Sequence, residues 1–213
     1  MAASQEQLAK GREPAEMGGV RLGRTRGESA WLADLRRAYH SSRGGRARKI
    51  ALCLREPGTH AVTVFRFGHW LLGRSLPVRI LLDPVYLLLN FLVHVLWGIE
   101  ISRHATIGPG LLIAHFGGIT VSGLAVIGRD CNLSNNVTIG QSGQGVPVIG
   151  DEVYIAPGAR LFGKIHIGNN VQIGANAVVH KDVPDRAVVV LEPGFRILSY
   201  KGNRLPPSGN EPG

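Results

Sequence analysis

The stretch from Ile101 to Val183 constrains this chain more than any other. A bulky aliphatic falls on every sixth position: Ile101, Ile107 and Ile113, then Ile127, Leu133 and Ile139, then Ile149, Ile155, Leu161, Ile167, Ile173 and Val179. A second register, two residues before each marker, holds small or β-branched side chains such as Ala105, Ala125, Cys131, Val137, Val153, Ala159, Val171 and Ala177. A period of six matches neither the 3.6 of a helix nor plain alternation, but it matches short strands joined by tight turns and stacked as a solenoid. Turn signals in a β-sandwich come every eight to twelve residues, so the spacing excludes that fold. Three repeats close one coil, and about four to five coils bury a continuous aliphatic column. Glycine or asparagine in Gly168-Asn169-Asn170 and Gly174-Ala175-Asn176 is expected to supply positive-φ corners.

A solenoid accommodates insertions as loops ejected from a corner. The ladder is broken twice: two extra residues fall between Ile113 and Ile127, in the run Ile113-Ala114-His115-Phe116-Gly117-Gly118-Ile119, and four fall between Ile139 and Ile149, around Gln141 to Val146. Both loops are candidate sites.

The chain has 213 residues and is 44% hydrophobic, enough for a full core, of which the solenoid uses less than half the length. Four segments follow: a disordered leader at 1–28, an α-helical region at 29–98, the hexapeptide β-helix at 99–190, and a closing segment with a disordered tail at 191–213. The net charge is +9. Its excess is N-terminal, with 15 Lys/Arg against 8 Asp/Glu in residues 1–100. An arginine-rich solvated leader accounts for this, and no finger spacing, helix-turn-helix or aromatic RNA-binding motif accompanies it, so no nucleic-acid partner is expected. The only cysteines are Cys53 and Cys131, the latter at an inward position. A buried free thiol, no disulfide scaffold and no apolar signal segment point to the reducing cytoplasm.

Within the helical region, Trp31, Leu32, Leu35 and Ala38 fall at helical spacing after Glu28-Ser29. A second helix runs through Lys49 to Leu54 and stops at Glu56-Pro57-Gly58, and Thr59 is expected to cap a third. The segment from Val78 to Trp97 is the most apolar of all. Arg79, Asp83 and Pro84 reduce its uninterrupted run to Val85–Trp97, short of a bilayer span. The reading is a buried helix packed on the solenoid or on a neighbouring subunit, with a peripheral membrane contact left open by the flanking aromatic and basic residues.

The motifs along the chain resemble those of the serine acetyltransferase family, hexapeptide acyltransferases with a left-handed β-helix. The residues that carry the resemblance are Gly58 to Trp70, Gly98-Ile99-Glu100-Ile101, Ala105-Thr106-Ile107-Gly108, the His115-Phe116-Gly117-Gly118 loop, Asn136 to Gly140, and Val178-Val179 through Val183-Pro184. The resemblance implies acetyl transfer from acetyl-CoA to a hydroxyl. His115 matches the family's base and Glu100 its orienting carboxylate. Fifteen residues separate the two, so they share one coil. The family's acetyl-CoA groove lies between adjacent solenoids, which implies a homotrimer, and it maps onto Gln141, Ser142, Pro157 and Ala175. Glycine is usual at the first of these positions and alanine at the third; Pro157 donates no N–H. No paired histidine spacing beside His115 suggests a metal.

The acceptor end departs from the family. Ala114 stands where an aspartate precedes the base, and the ejected loop is about four residues shorter, with Gly145-Val146 where an Arg-His pair engages the amino acid. A zwitterion needs charged partners, whereas a neutral sugar needs only hydrogen bonds and an apolar face. Ala114, Phe116 and Gln144 are the acceptor candidates, with Ser122 nearby. The pocket chemistry leans to a sugar hydroxyl in polysaccharide biosynthesis. L-serine is the alternative acceptor, and a non-catalytic scaffold is the alternative class.

Overall fold

The computed structural model describes residues 29–41, 44–143, 145–191, 199–200 and 203–204. The expected leader, most of the closing segment, the tail and Gln144 lie outside the described residues.

Four helices precede the solenoid: α1 (Ala30–Ser41), α2 (Arg46–Arg55), α3 (Pro57–Leu72) and α4 (Leu76–Trp97). Pro57 does not merely end α2. It opens α3 at a first-turn position where its missing N–H costs nothing, with Glu56 as the cap residue in place of Thr59. In α1 the buried residues are Asp34 and Ala38, while Trp31 and Leu32 are exposed. The inward side of α1 thus sets a carboxylate beside Ala38, and of the four predicted apolar positions only Ala38 is buried.

The Asp34 carboxylate accepts from Arg66 Nε at 2.7 Å and from the Gly110 and Leu111 N–H groups at 2.7 and 2.8 Å. Arg66, on α3, also donates to the Ile107 and Gly108 carbonyls at 2.7 and 2.6 Å. Arg37 adds bonds to the Gly110 and Cys131 carbonyls. Helices α1 and α3 are thus pinned to one corner of the first coil by charged side chains meeting backbone groups. Burial pushes the Asp34 carboxyl above its ordinary value, against the downward pull of Arg66 and the two N–H groups.

The solenoid consists of three parallel sheets. The first contains β1 (Ile99–Ile101), β4 (Ile119–Val121), β7 (Thr138–Gly140), β10 (Arg160–Phe162) and β13 (Val178–Val179). The second contains β2 (Thr106–Ile107), β5 (Val126–Ile127), β8 (Val148–Ile149) and β11 (His166–Ile167). The third contains β3 (Leu112–Ile113), β6 (Asn132–Leu133), β9 (Tyr154–Ile155), β12 (Gln172–Ile173) and β14 (Val188–Val189). Four coils are complete and a fifth is shortened. A small antiparallel pair, β15 (Ser199–Tyr200) with β16 (Asn203–Arg204), follows.

Register follows the insertions. Ile101 pairs with Val121, twenty residues on; Val121 pairs with Ile139, eighteen on; and Ile127 pairs with Ile149, twenty-two on. The hexad therefore resumes at Ile119 and Val121, immediately after the His115 loop. The marker residues Ile127, Leu133, Ile139, Ile149, Ile155, Leu161, Ile167 and Ile173 have no exposed surface. Full burial of one such side chain contributes about 1.5–3 kcal/mol.

The corners differ from expectation in one respect. Positive φ falls at Asn170 and Asn176, and at the matching positions Gly110, Asp130, Asn136, Glu152 and Gly158, three residues after each marker. Gly168 and Gly174, in contrast, do not have positive φ. Gly168 belongs to a stack with Gly108, Gly128 and Gly150, where each glycine lies against the next coil; a Cβ on Gly108 would come within 2.7 Å of Arg129 N. Here glycine supplies space, not a left-handed turn. Beside the stack, side-chain oxygens bond the next N–H up the corner: Asp151 accepts from Arg129 N, Asn169 from Asp151 N and Asp185 from Asn169 N.

Residues 78–97 lie in helix α4, which within one chain is not buried on the solenoid, the first of the expected arrangements. It runs unbroken through Pro84, and of its 22 residues only Tyr86 and Val93 are buried. It packs along α3, where Gly68 leaves room for the Tyr86 ring, and ends at Gly98 in the left-handed region.

Candidate functional site

The third-to-first-sheet corner carries the candidate base. After β3 the chain leaves the coil at Ala114 and returns at Ile119. Gly117 and Gly118 make the turn with φ of 105° and 66°. A side chain on Gly118 would overlap the Asn136 amide, and the Asn136 N–H donates to the Gly117 carbonyl at 2.7 Å. On the other side, the loop abuts Gly98 at the end of α4. It is therefore held between a helix terminus and the second coil, with Ala114, His115 and Phe116 exposed.

Glu100 is the exposed middle residue of β1, between buried Ile99 and Ile101. It lies opposite Thr120 of β4, the strand that the His115 loop feeds. Both candidate catalytic residues thus border the same edge of the first sheet at the first two coils. Their side chains are not hydrogen-bonded to one another.

Below Glu100 the outward row of this sheet continues through Thr120, Thr138 and Arg160. Arg160 donates to Thr138 Oγ1 at 3.1 Å. A carboxylate, two hydroxyls and a guanidinium follow one another at strand spacing, about 4.8 Å per step. The sequence reading missed Thr120, Thr138 and Arg160. Their signal is the outward position flanked by two inward residues, once per coil.

The four acetyl-CoA candidates fall on two edges. Pro157 and Ala175 share the corner with His115, two and three coils further on. The backbone there forms a continuous ladder: Gly158 N donates to Asn135 O at 3.0 Å, and Asn176 N donates to Pro157 O at 2.9 Å. It uses the Pro157 carbonyl and never the N–H that proline lacks, so proline fits. Gln141 and Ser142 lie at the opposite edge, in the ejected loop closed by the Ser142–Gly145 bridge. Within one chain the first sheet separates the two pairs. Gln144 lies outside the described residues.

His60 and His69 are engaged elsewhere. His60 packs against Trp97, and His69 Nδ1 lies 2.9 Å from the Arg103 carbonyl oxygen. A cleft of about 330 Å³ between α1 and the second-to-third-sheet corner is lined by Arg36, Arg37, His40, Arg129 and Asp130, remote from the His115 corner. Among the described residues, no group of three or more His, Cys, Asp or Glu side chains is placed to hold a metal ion.

Residues 147–181 match the bacterial transferase hexapeptide (six repeats) family. A serine acetyltransferase from Helicobacter pylori is 34% identical over 146 residues, covering 67% of this chain and 82% of the relative. This chain belongs to the serine acetyltransferase family. A Synechococcus elongatus serine acetyltransferase is 37% identical over 163 residues, covering 75% of this chain but only 63% of the relative's length. Among solved structures, the Neisseria gonorrhoeae serine acetyltransferase in complex with serine is 29% identical with a TM-score of 0.63, covering 78% of this chain and 67% of that one. A serine acetyltransferase in complex with CoA is 28% identical with a TM-score of 0.62, covering 75% and 64%. The architecture is accordingly the left-handed parallel β-helix of the hexapeptide acyltransferases with a helical N-terminal segment.

Proposed function

We propose that this protein transfers acetyl from acetyl-CoA to the hydroxyl of L-serine, with His115 as general base and Glu100 as its positioning carboxylate. The observation that carries the reading is that the serine acetyltransferase family's two catalytic positions fall on one exposed edge of the first sheet, brought there by the β1–β4 pairing. In the reaction, His115 takes the hydroxyl proton as the serine oxygen attacks the thioester carbonyl. The tetrahedral intermediate then collapses, the C–S bond breaks, and the imidazolium returns the proton to the leaving CoA thiolate. Glu100 is assigned to orient the ring and favour its cationic form in the reacting complex, a contact that the two side chains do not make in the structure.

The relatives favour L-serine, the alternative acceptor, and lend nothing to the sugar hydroxyl to which the pocket chemistry leaned. Ala114 and the shortened loop then require that groups other than the family's usual ones engage the serine carboxylate and ammonium.

For the donor, Pro157 and Ala175 line one edge of the first sheet, and Gln141 and Ser142 line the other. A homotrimer resolves this separation by setting one chain's His115 corner beside its neighbour's ejected loop. Arg160 lies three strands from Glu100, about 14 Å along the row. That places it for the phosphate-bearing end of the donor.

The test is CoA thiol release by purified protein with and without L-serine. Serine-dependent turnover should fall by about 10²–10⁴-fold in His115→Ala. It should fall less in Glu100→Gln, which keeps the side chain's shape. Turnover unaffected by His115→Ala would overturn the assignment of the base. Absence of serine-dependent release, with acetyl-CoA still raising the melting temperature, would overturn the acceptor.

A further inference from the structure

The four helices hold an inverted surface. Among the exposed residues of α4 only His94 is polar; the rest are aliphatic, aromatic or proline, including Ile80, Leu81, Leu88, Phe91, Leu92 and Val95. The charged residues of the helix turn toward the protein instead. Arg79 lies 3.8 Å from Asp83, and Asp83 accepts from Arg103 at 2.7 Å. An ordinary surface helix buries its apolar stripe and wets a polar face, whereas α4 buries Tyr86 and Val93 and presents an apolar face outward as well.

At 100° per residue, the exposed apolar positions sweep roughly 220° of the helix circumference. A packed helical neighbour covers a stripe of about 100°. One protein partner would therefore leave about half of this arc in water, whereas hydrocarbon covers it all. Helix α4 is also long and apolar enough to cross a membrane. Its attachment argues against a crossing, because α3 lies alongside it and Arg66 of α3 is bonded into Asp34 and the first coil. The helix is fixed lengthwise to the surface of a folded body.

At its N-terminal end, the exposed Trp70 ring carries the Arg74 guanidinium 4.3 Å from its centroid. That pairing of an amphipathic ring with a cation suits the headgroup layer. The net charge of +9, concentrated in the first hundred residues, complements an anionic surface.

We infer that α4 is a membrane-docking helix that lies in the plane of an anionic bilayer with its apolar arc in the acyl layer. It holds the first coil, and with it the edge bearing Glu100 and His115, at the lipid surface. The inference is independent of the acceptor assigned above.

The test is flotation of the purified full chain with vesicles of phosphatidylcholine alone and with roughly 30% phosphatidylglycerol added. The wild type should float with the mixed vesicles and more weakly with the neutral ones. The variant Leu81→Glu/Leu88→Glu/Leu92→Glu should lose binding by more than roughly tenfold per leucine while keeping its melting temperature, since all three side chains are exposed. The fluorescence added by Leu88→Trp over that of the native tryptophans should be quenched by lipids brominated near the headgroup more than by lipids brominated at the chain ends. Stronger quenching from the chain ends would overturn the in-plane orientation. A wild type that does not float, combined with a triple variant that falls to a smaller oligomer in solution, would assign the face to contacts between copies and overturn the proposal.

Discussion

Removing the Asp34 carboxylate should destabilise the protein far more than a short surface helix suggests. Asp34→Ala strands the Arg66 guanidinium, which is only 10% exposed, without its counter-charge. It also leaves the Gly110 and Leu111 N–H groups without the acceptor they share. Breaking one side of a buried pair costs about 3–5 kcal/mol. Each orphaned N–H carries a penalty of about 1–3 kcal/mol, which partly overlaps that figure because one oxygen serves both. A net loss of about 4 kcal/mol follows, or about 8–16 °C in melting temperature for a chain of this size.

Burial acts in the other direction by raising the carboxyl's pKa, so the pair as a whole stabilises less than its geometry suggests. The double variant Asp34→Ala/Arg66→Met should therefore recover part of the loss, because the stranded charge is gone. The assay is thermal unfolding of the single and double variants, with hydrogen exchange at Gly110 and Leu111 as the local readout. A loss below about 1 kcal/mol in Asp34→Ala, with both amides still protected, would refute the reasoning. It would mean that Arg37 and the corner itself hold the first coil without Asp34.

Burial pushes the Cys131 thiol up from 9.0 to about 11. Above pH 9 the unfolded chain therefore loses a proton that the folded chain keeps, and stability should fall between pH 9 and 11 by up to about 3 kcal/mol. Cys131→Ala should flatten that slope in urea titrations, and a slope left unchanged would assign it to other groups. Gly128→Ala should cost about 1–3 kcal/mol, because its Cβ would overlap Gly150 and Asp151. Gly143→Ala has open space around it and only its left-handed φ to offset, so about 1 kcal/mol is expected; equal losses in the two melting curves would contradict the stacking argument. Ile149→Ala, in the centre of the column, should cost about 2–5 kcal/mol in chemical denaturation, and a smaller loss would show that the coils collapse around the cavity.

The solenoid was legible because a hexad ladder needs only local information: each inward position announces itself within six residues. Ile119 and Val121 were missed because the His115 insertion shifts the count by two, and only cross-coil pairing reveals that the ladder resumes there. The glycine corners were half legible. Sequence shows a glycine at 168, but steric demand and left-handed φ leave the same residue behind, and only the neighbouring coil separates them. Asp34 and Arg66 are 32 residues apart with no shared motif, so their contact had no local signal. Helix α4 misled the reading for a related reason. Arg79 and Asp83 look like breaks in an apolar span when they are assumed to face water, but both are half-buried on the protein side, where Asp83 accepts from Arg103 and lies 3.8 Å from Arg79.

The candidate site shows how a uniform fold acquires a direction. Every coil repeats the same three strands, so nothing in the aliphatic column distinguishes one level from another. Asymmetry comes from additions to the repeat: two extra residues eject the His115 loop at one edge of the first sheet, and four eject the Ser142 loop at the other, two coils further along. The helices add a third asymmetry by attaching at the start of the solenoid, to the first coil through Asp34, Arg66 and the α4 terminus at Gly98, and to the second through the Arg37 bond to the Cys131 carbonyl. Glu100 stands two residues beyond that terminus. A change that loosens α4 from α3, such as Gly68→Leu against the Tyr86 ring, should therefore disturb β1 and the His115 loop before it disturbs the later coils. Hydrogen exchange resolved by coil would read this directly. Uniform deprotection along the solenoid would mean that the column unfolds as one unit and that the helices do not single out the catalytic end.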